Sequence, residues 1–114
     1  MPLDHVALTV SDRERSAAFY AEHFGLTQRV HDDEQLLIIG DEHGSLLALW
    51  TGAPPQDLPR SNHFGFRLST PEAVVAARER FRAAGVTELE WQDHGPARVQ
   101  VADPDGYRVE VYAF

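Results

Sequence analysis

The sequence contains no cysteine, and this absence excludes several kinds of chemistry at once. Without a thiol the chain cannot form a disulfide, bind zinc through thiolates or use a cysteine nucleophile. Any metal ion would have to be bound by His, Asp and Glu side chains, which offer imidazole and carboxylate donors.

Long apolar runs and excess positive charge are also missing. No apolar run approaches the roughly 18 residues that a membrane-spanning helix needs, and residues 1–5 lack the features of a signal peptide. The chain has 10 basic and 18 acidic residues, for a formal net charge of -8. Nucleic acids and anionic membranes are therefore unfavourable partners, and a cytoplasmic location is expected.

What the sequence does have is enough apolar residues to form one core. It is 114 residues long and 43% hydrophobic, which is sufficient for a single domain. Helical spacing of apolar residues predicts two helices, which begin at capping boxes at Ser11 and Ser69 and end at Gly25 and Gly85. Apolar runs, several of them alternating, predict strands over 3–10, 27–31, 35–39, 45–50, 61–68, 86–91, 97–102 and 107–113.

The chain repeats itself. Residues 4–8 (DHVAL) match residues 62–66 (NHFGF), 58 positions later, and the two helix-start signals have the same spacing. Each half therefore reads β-α-β-β-β, which predicts an α+β fold. The expected organisation is a single domain over 1–114, made of module one (1–50), a proline-rich linker (51–60) and module two (61–114).

Equivalent positions of the two halves carry the candidate metal ligands. His5 matches His63, and Glu110 in the last strand matches Ala48. Two equal halves tend to be related by a pseudo-two-fold axis, so these side chains would meet if the sheet faces curl into a cup. Two His and one carboxylate suit Fe, Mn, Ni or Zn and leave coordination positions open. The alternative is a cup that these polar side chains line without a metal.

Further side chains are candidates for substrate binding. Arg67, Arg98 and Arg108 alternate onto the same face as Glu110, where a guanidinium can bind an anionic group or simply be solvated. Among them Arg98 is predicted to be best placed. The other candidates are an amide beside Arg98 and two aromatic residues at matching positions, which could form a wall or pack in the core: Gln100, Trp50 and Tyr112.

These motifs resemble the vicinal oxygen chelate superfamily, which includes glyoxalase I, extradiol dioxygenases, fosfomycin-modifying thiol transferases and bleomycin-resistance proteins. The resemblance implies two tandem βαβββ modules that form a curved mixed sheet, the cup. It also implies that a divalent metal is bound by His5, His63 and Glu110. The matching segments are 4–6, 16–26, 62–63, 103–106 and the strand that contains Glu110.

The resemblance implies a metal-dependent enzyme acting on a small oxygen-bearing molecule, by dioxygenase-like or transferase/lyase-like chemistry. Glyoxalase I activity is not expected, because its fourth ligand position is occupied here by Ala48. The alternative is a metal-free protein that binds and sequesters a small molecule, as bleomycin-resistance proteins do, and the acidic charge would favour a cationic ligand.

A homodimer is expected, because pairing would protect exposed sheet edges. The sequence leaves open whether each cup is formed within one chain or shared between two chains.

Overall fold

The computed structural model describes all residues, 1–114. It contains eight strands and two helices, and the order β-α-β-β-β occurs twice, which confirms the predicted α+β fold with two βαβββ modules. The chain divides into two compact units, Met1–Asp57 and Leu58–Phe114, so the boundary falls within the segment 51–60. Neither helix combines the length and the apolarity needed to cross a lipid bilayer.

The first unit is one four-stranded mixed sheet with one helix. Its sheet has the order β1-β4-β3-β2, in which β1 and β4 are parallel and the other neighbours are antiparallel. Its elements are β1 (His5–Val10), α1 (Arg13–Phe24), β2 (Gln28–Asp32), β3 (Leu36–Gly40) and β4 (Leu46–Thr51).

The second unit repeats this topology. Its sheet has the order β5-β8-β7-β6, and again the two strands at one side, β5 and β8, are parallel. Its elements are β5 (Phe64–Arg67), α2 (Pro71–Ala83), β6 (Glu88–Gln92), β7 (Ala97–Ala102) and β8 (Arg108–Ala113).

The helix starts differ from the prediction by one residue. Asp12 rather than Ser11 caps α1, because its side chain accepts a hydrogen bond from the Arg15 backbone N–H at 3.1 Å. Thr70 rather than Ser69 caps α2 in the same way. The two predicted capping residues are therefore wrong. In each case the next residue is also of a type that favours the N-cap position, and its side chain accepts the capping hydrogen bond.

The helix ends agree with the prediction. Gly25 follows α1 with φ +73° and Gly85 follows α2 with φ +76°, the left-handed conformation in which glycine avoids the steric penalty of a Cβ. Each helix therefore stops where the sequence indicates, and the chain turns into the next strand.

The core of the second unit lies between α2 and one face of its sheet. Three residues of the apolar stripe of α2 are buried, namely Val74, Ala77 and Phe81, and the helix packs on β7 and β8. The strand residues that face α2 are buried as well: Val99, Val101, Val109 and Val111. Because successive side chains of a strand alternate between faces, the polar residues between these valines lie on the face that α2 does not cover.

The first unit is built in the same way. Tyr20 of α1 is fully buried, and so are Leu47 and Leu49 of β4, on which α1 packs. Ala48 and Trp50 alternate onto the opposite face of β4, where Trp50 is 43% exposed. In both units the face without a helix is therefore the one that carries the candidate site residues.

Candidate metal centre

Glu110 is fixed by its place in the middle of the second sheet. It lies opposite Gly65 on β5 and opposite Gln100 on β7. A Cβ added at Gly65 would be 3.1 Å from the Glu110 carbonyl oxygen and 3.2 Å from its Cβ, so only glycine fits beside Glu110 without displacing it. Gly65 is a site residue that the sequence did not reveal.

His63 precedes β5 and presents one ring nitrogen to Glu110. Its Nδ1 is 2.9 Å from the carbonyl oxygen of Ser61. A carbonyl can only accept, so Nδ1 carries the proton and the neutral ring keeps a lone pair on Nε2. That Nε2 lies 3.7 Å from Oε2 of Glu110, which is itself an acceptor.

Two acceptors that face each other at this distance repel, and a positive charge between them would turn the repulsion into attraction. A second proton on His63 would supply it as an ion pair, and so would a metal ion. Zinc binds both donor types at about 2.0–2.2 Å, so two such atoms on one tetrahedral ion are about 3.4 Å apart. The observed 3.7 Å fits shared coordination after a shift of a few tenths of an ångström.

The other oxygen of Glu110 is held by two neighbours on β7. Oε1 accepts hydrogen bonds from Nη1 of Arg98 at 3.3 Å and from Nε2 of Gln100 at 3.1 Å. The Glu110 side chain is only 12% exposed. These contacts orient the carboxylate so that Oε2 faces His63, as outer hydrogen bonds commonly orient a metal ligand.

Arg98 and Gln100 belong to a polar network with Glu90, Arg108 and Glu110. Arg98 also donates to Oε1 of Glu90 at 3.0 Å. Nη1 of Arg108 is 3.4 Å from Oε1 of Gln100 and 3.5 Å from Oε2 of Glu90. The hydrogen bond from Arg98 lowers the pKa of Glu90, and the same bond raises the pKa of Arg98. Both guanidinium groups therefore have a carboxylate partner.

Glu90 was not found from the sequence because of an irregularity in β6. Simple alternation over 86–91 would place Glu88 and Glu90 on one face. A register shift between them breaks the alternation, and Glu88 pairs with Arg78 of α2 while Glu90 pairs with Arg98 on the other face. No residue type in this segment signals the shift.

Arg67 and Tyr112 lie further along the same face. Arg67 is paired with Tyr112 in the β5–β8 register, and its guanidinium carbon is 5.2 Å from the ring centroid of Phe114. The ring of Tyr112 contacts that of Phe114 edge-on at 5.9 Å. Arg67 has no carboxylate partner, in contrast to Arg98 and Arg108.

The first unit repeats the frame of this site with fewer donors. Ala7 is paired with Ala48, as Gly65 is with Glu110, and His5 lies two residues before Ala7, as His63 does before Gly65. His5 is exposed, and its Nδ1 is 2.9 Å from Oδ1 of Asp4. Because Ala48 has no atom that could bind a metal, His5 is the ligand predicted from this unit.

The structure therefore brings together four of the predicted site residues: His63, Arg98, Gln100 and Glu110. It contains no group of three or more His, Cys, Asp or Glu side chains that could hold a metal ion. His63 and Glu110 form a pair of potential metal ligands, and the participation of His5 stays a prediction. The same holds for Trp50, which lies on the corresponding face of the first unit.

The family model described as the Glyoxalase/Bleomycin resistance protein/Dioxygenase superfamily matches residues 2–111. No curated protein matches the chain in sequence.

Several solved structures have the same fold. A possible glyoxalase from Bacillus cereus is 27% identical, with 98% of each chain covered and a TM-score of 0.83. Lactoylglutathione lyase from Agrobacterium tumefaciens is 24% identical, with 98% of this chain and 92% of that chain covered and a TM-score of 0.79. The fosfomycin resistance protein FosX from Listeria monocytogenes, complexed with Mn(II) and sulfate, is 22% identical, with 98% and 89% covered and a TM-score of 0.83.

Proposed function

The chain belongs to the Glyoxalase/Bleomycin resistance protein/Dioxygenase superfamily. On this premise we propose that it is a metal-dependent enzyme that acts on a small oxygen-bearing molecule. The divalent ion is bound by His63, Glu110 and His5. The observation that carries the proposal is the 3.7 Å approach of His63 Nε2 to Glu110 Oε2, two acceptors with no proton donor between them in the neutral state of the ring.

The donor set fits a divalent ion. Imidazole and carboxylate suit Fe, Mn, Ni or Zn, and FosX, a protein of the same fold, was crystallised with Mn(II). When bound, such an ion supplies Lewis acidity that polarises substrate oxygens. The chain's own contribution is to fix the ligands: Ser61 holds the tautomer of His63, and Arg98 and Gln100 hold Oε1 of Glu110.

The proposed reaction class depends on the absence of a metal-binding side chain at Ala48. A methyl group cannot coordinate or move a proton, so the site offers three protein ligands and keeps positions for substrate oxygens. This favours dioxygenase-like or transferase/lyase-like chemistry over that of glyoxalase I.

Metal analysis of protein purified without a His-tag tests the proposal. After reconstitution with Fe, Mn, Ni or Zn, we expect about one ion per chain. His5→Ala, His63→Ala and Glu110→Ala should each remove most of the metal affinity and leave the fold intact, as judged by circular dichroism. The exposed His43, in the turn before β4, provides the control: His43→Ala should bind metal like the wild type. Wild-type protein that binds none of the four metals would contradict the proposal.

The third ligand, His5, comes either from the same chain or from a second copy in a homodimer, and a mixing experiment distinguishes the two. His5→Ala and Glu110→Ala variants are unfolded together and refolded as a mixture. If the ligands come from two chains, mixed dimers contain one intact site and regain metal binding. If all three come from one chain, the mixture stays without metal.

A second candidate function is metal-free binding of a small molecule. It is favoured by the same pair of residues, because a doubly protonated His63 would satisfy Glu110 as an ion pair without a metal. The net charge of -8 would attract a cationic ligand. Thermal-shift measurements separate the two functions: metals should stabilise an enzyme of the first kind, whereas cationic antibiotics alone should stabilise a protein of the second.

A further inference from the structure

The three arginines on the helix-free face of the second unit differ in whether a carboxylate lies beside the guanidinium group. Arg98 donates to Glu90 and Glu110, and Arg108 lies 3.5 Å from Glu90. Arg67 is exposed, and its guanidinium carbon lies 5.2 Å from the ring centroid of Phe114. Among these three arginines, Arg67 is therefore the one without a carboxylate partner.

The contact with Phe114 prepares Arg67 to bind an anion. A guanidinium that lies over an aromatic ring is attracted by the negative face of the ring and keeps N–H groups available for an anion. Phe114 is 71% exposed, so the Arg67–Phe114 pair borders solvent, and Tyr112 contacts the ring edge-on. A planar carboxylate or a phosphonate could therefore form two parallel hydrogen bonds with Arg67.

The distance from Glu110 to Arg67 determines how far apart the chelating oxygens and the anionic group of a ligand must be. Arg67 is paired with Tyr112, two residues beyond Glu110 on β8, on the same face of the sheet. Two residues of a strand span about 7 Å. A ligand whose oxygens are bound beside Glu110 could therefore reach Arg67 with an anionic group held about four or five bonds away.

We propose that Arg67, which lies over the ring of Phe114 beside Tyr112, binds the anionic group of the substrate. The substrate is then a small chelating molecule with two adjacent oxygens at one end and a carboxylate or phosphonate at the other. This assignment rests on the proposed metal site, and it moves the expected anion contact from Arg98 to Arg67.

The first test compares two chelators that differ by one carboxylate, catechol and protocatechuate. Their dissociation constants are measured under argon with the Mn(II)-loaded protein. The affinity ratio of protocatechuate to catechol should fall about tenfold in Arg67→Gln, while the affinity for catechol and for Mn(II) stays unchanged. Arg80→Gln removes the same charge from an exposed position on α2 and should keep the wild-type ratio.

The second test needs no metal. Phenylphosphonate is added to the metal-free protein while the arginine Nε–Hε signals are followed by NMR, and the signal that disappears in Arg67→Gln identifies Arg67. That signal should shift most.

The outcomes of the two proposals are distinguishable. An unchanged chelator ratio in Arg67→Gln overturns the role of Arg67 and leaves the metal site standing. If the wild type binds no metal, the proposed function fails and the NMR measurement decides alone. A shift at Arg67 then supports the anion site, and the absence of a shift overturns it.

Discussion

At the scale of single residues, Arg98 determines which oxygen of Glu110 is available. It holds Oε1 together with Gln100 and is itself held by Glu90, so Oε2 is left to face His63. The contact with a substrate anion that the sequence suggested for Arg98 stays a prediction. The residue and its face could be predicted from alternation, but its partner Glu90 could not.

Replacing Arg98 tests this role. In Arg98→Gln the carboxylate of Glu110 loses a charged donor and gains freedom to rotate, so metal affinity should fall about 10- to 100-fold. Competition with a chromophoric chelator measures the affinity, and Arg80→Gln serves as the charge-matched control. Equal affinities for all three proteins would show that Arg98 does not orient Glu110.

At the scale of elements, α2 stabilises the sheet on which the site is built. Adjacent residues of this helix provide a matched pair, because Val74 is fully buried and Val75 is 41% exposed. Val74→Ala should lower the free energy of unfolding by about 2 kcal/mol, since it leaves a cavity against the sheet. Val75→Ala should change it by less than about 0.5 kcal/mol. Urea denaturation measures both, and equal effects would contradict the packing described here.

The turn between β2 and β3 predicts a dependence on pH. Oδ2 of Asp33 is 2.7 Å from Nε2 of His31, and Oδ1 accepts from the backbone N–H groups of Gln35 and Leu36. These bonds, that of His31 first, lower the pKa of Asp33 from 3.8 to about 2. A lowered carboxyl pKa stabilises the fold above the ordinary value, and this contribution is lost as the pH falls from 3.8 towards 2.

His31→Gln should therefore unfold at a lower temperature than the wild type at about pH 5, with the difference vanishing near pH 2. Thermal denaturation followed by circular dichroism across this range measures it. His43→Gln removes another exposed histidine and should follow the wild-type curve. A difference that persists unchanged to pH 2 would contradict the role of the His31–Asp33 pair.

The strands and helices also show which structural features could be predicted from the sequence. Alternation and helical spacing were sufficient to predict the strand segments and the helix ends. They also predicted that Arg98, Gln100 and Glu110 share one face of the sheet. The register shift in β6 was not visible, because it depends on how Glu88 and Glu90 are paired with residues distant in sequence. The helix starts were displaced by one residue because adjacent residues compete as caps.

At the scale of the whole molecule, the internal repeat explains why the backbone around the candidate site could be predicted. It also explains why equivalent positions of the two units carry different side chains. Each unit has the same strand order, yet the second unit supplies a His–Glu pair where the first supplies a His and Ala48. The repeat could be read from the sequence. How ligands from the two halves, or from two copies, are assembled could not, because no pattern within one half encodes that assembly.

The proposed homodimer is a prediction at this scale. Each sheet has two edge strands, and pairing between copies would cover part of this unpaired backbone. Light scattering should give a mass twice the 12.8 kDa of one chain. A monomer that binds metal with full affinity would contradict a shared site and assign His5 to its own chain.

The central claim, that His63 and Glu110 are two ligands of one metal ion, is tested most directly by anomalous X-ray diffraction from crystals grown with Mn(II). We expect a strong peak about 2.2 Å from both His63 Nε2 and Glu110 Oε2, with Oε1 still bonded to Arg98. A fully formed His63–Glu110 ion pair with no anomalous peak between the two side chains would contradict it.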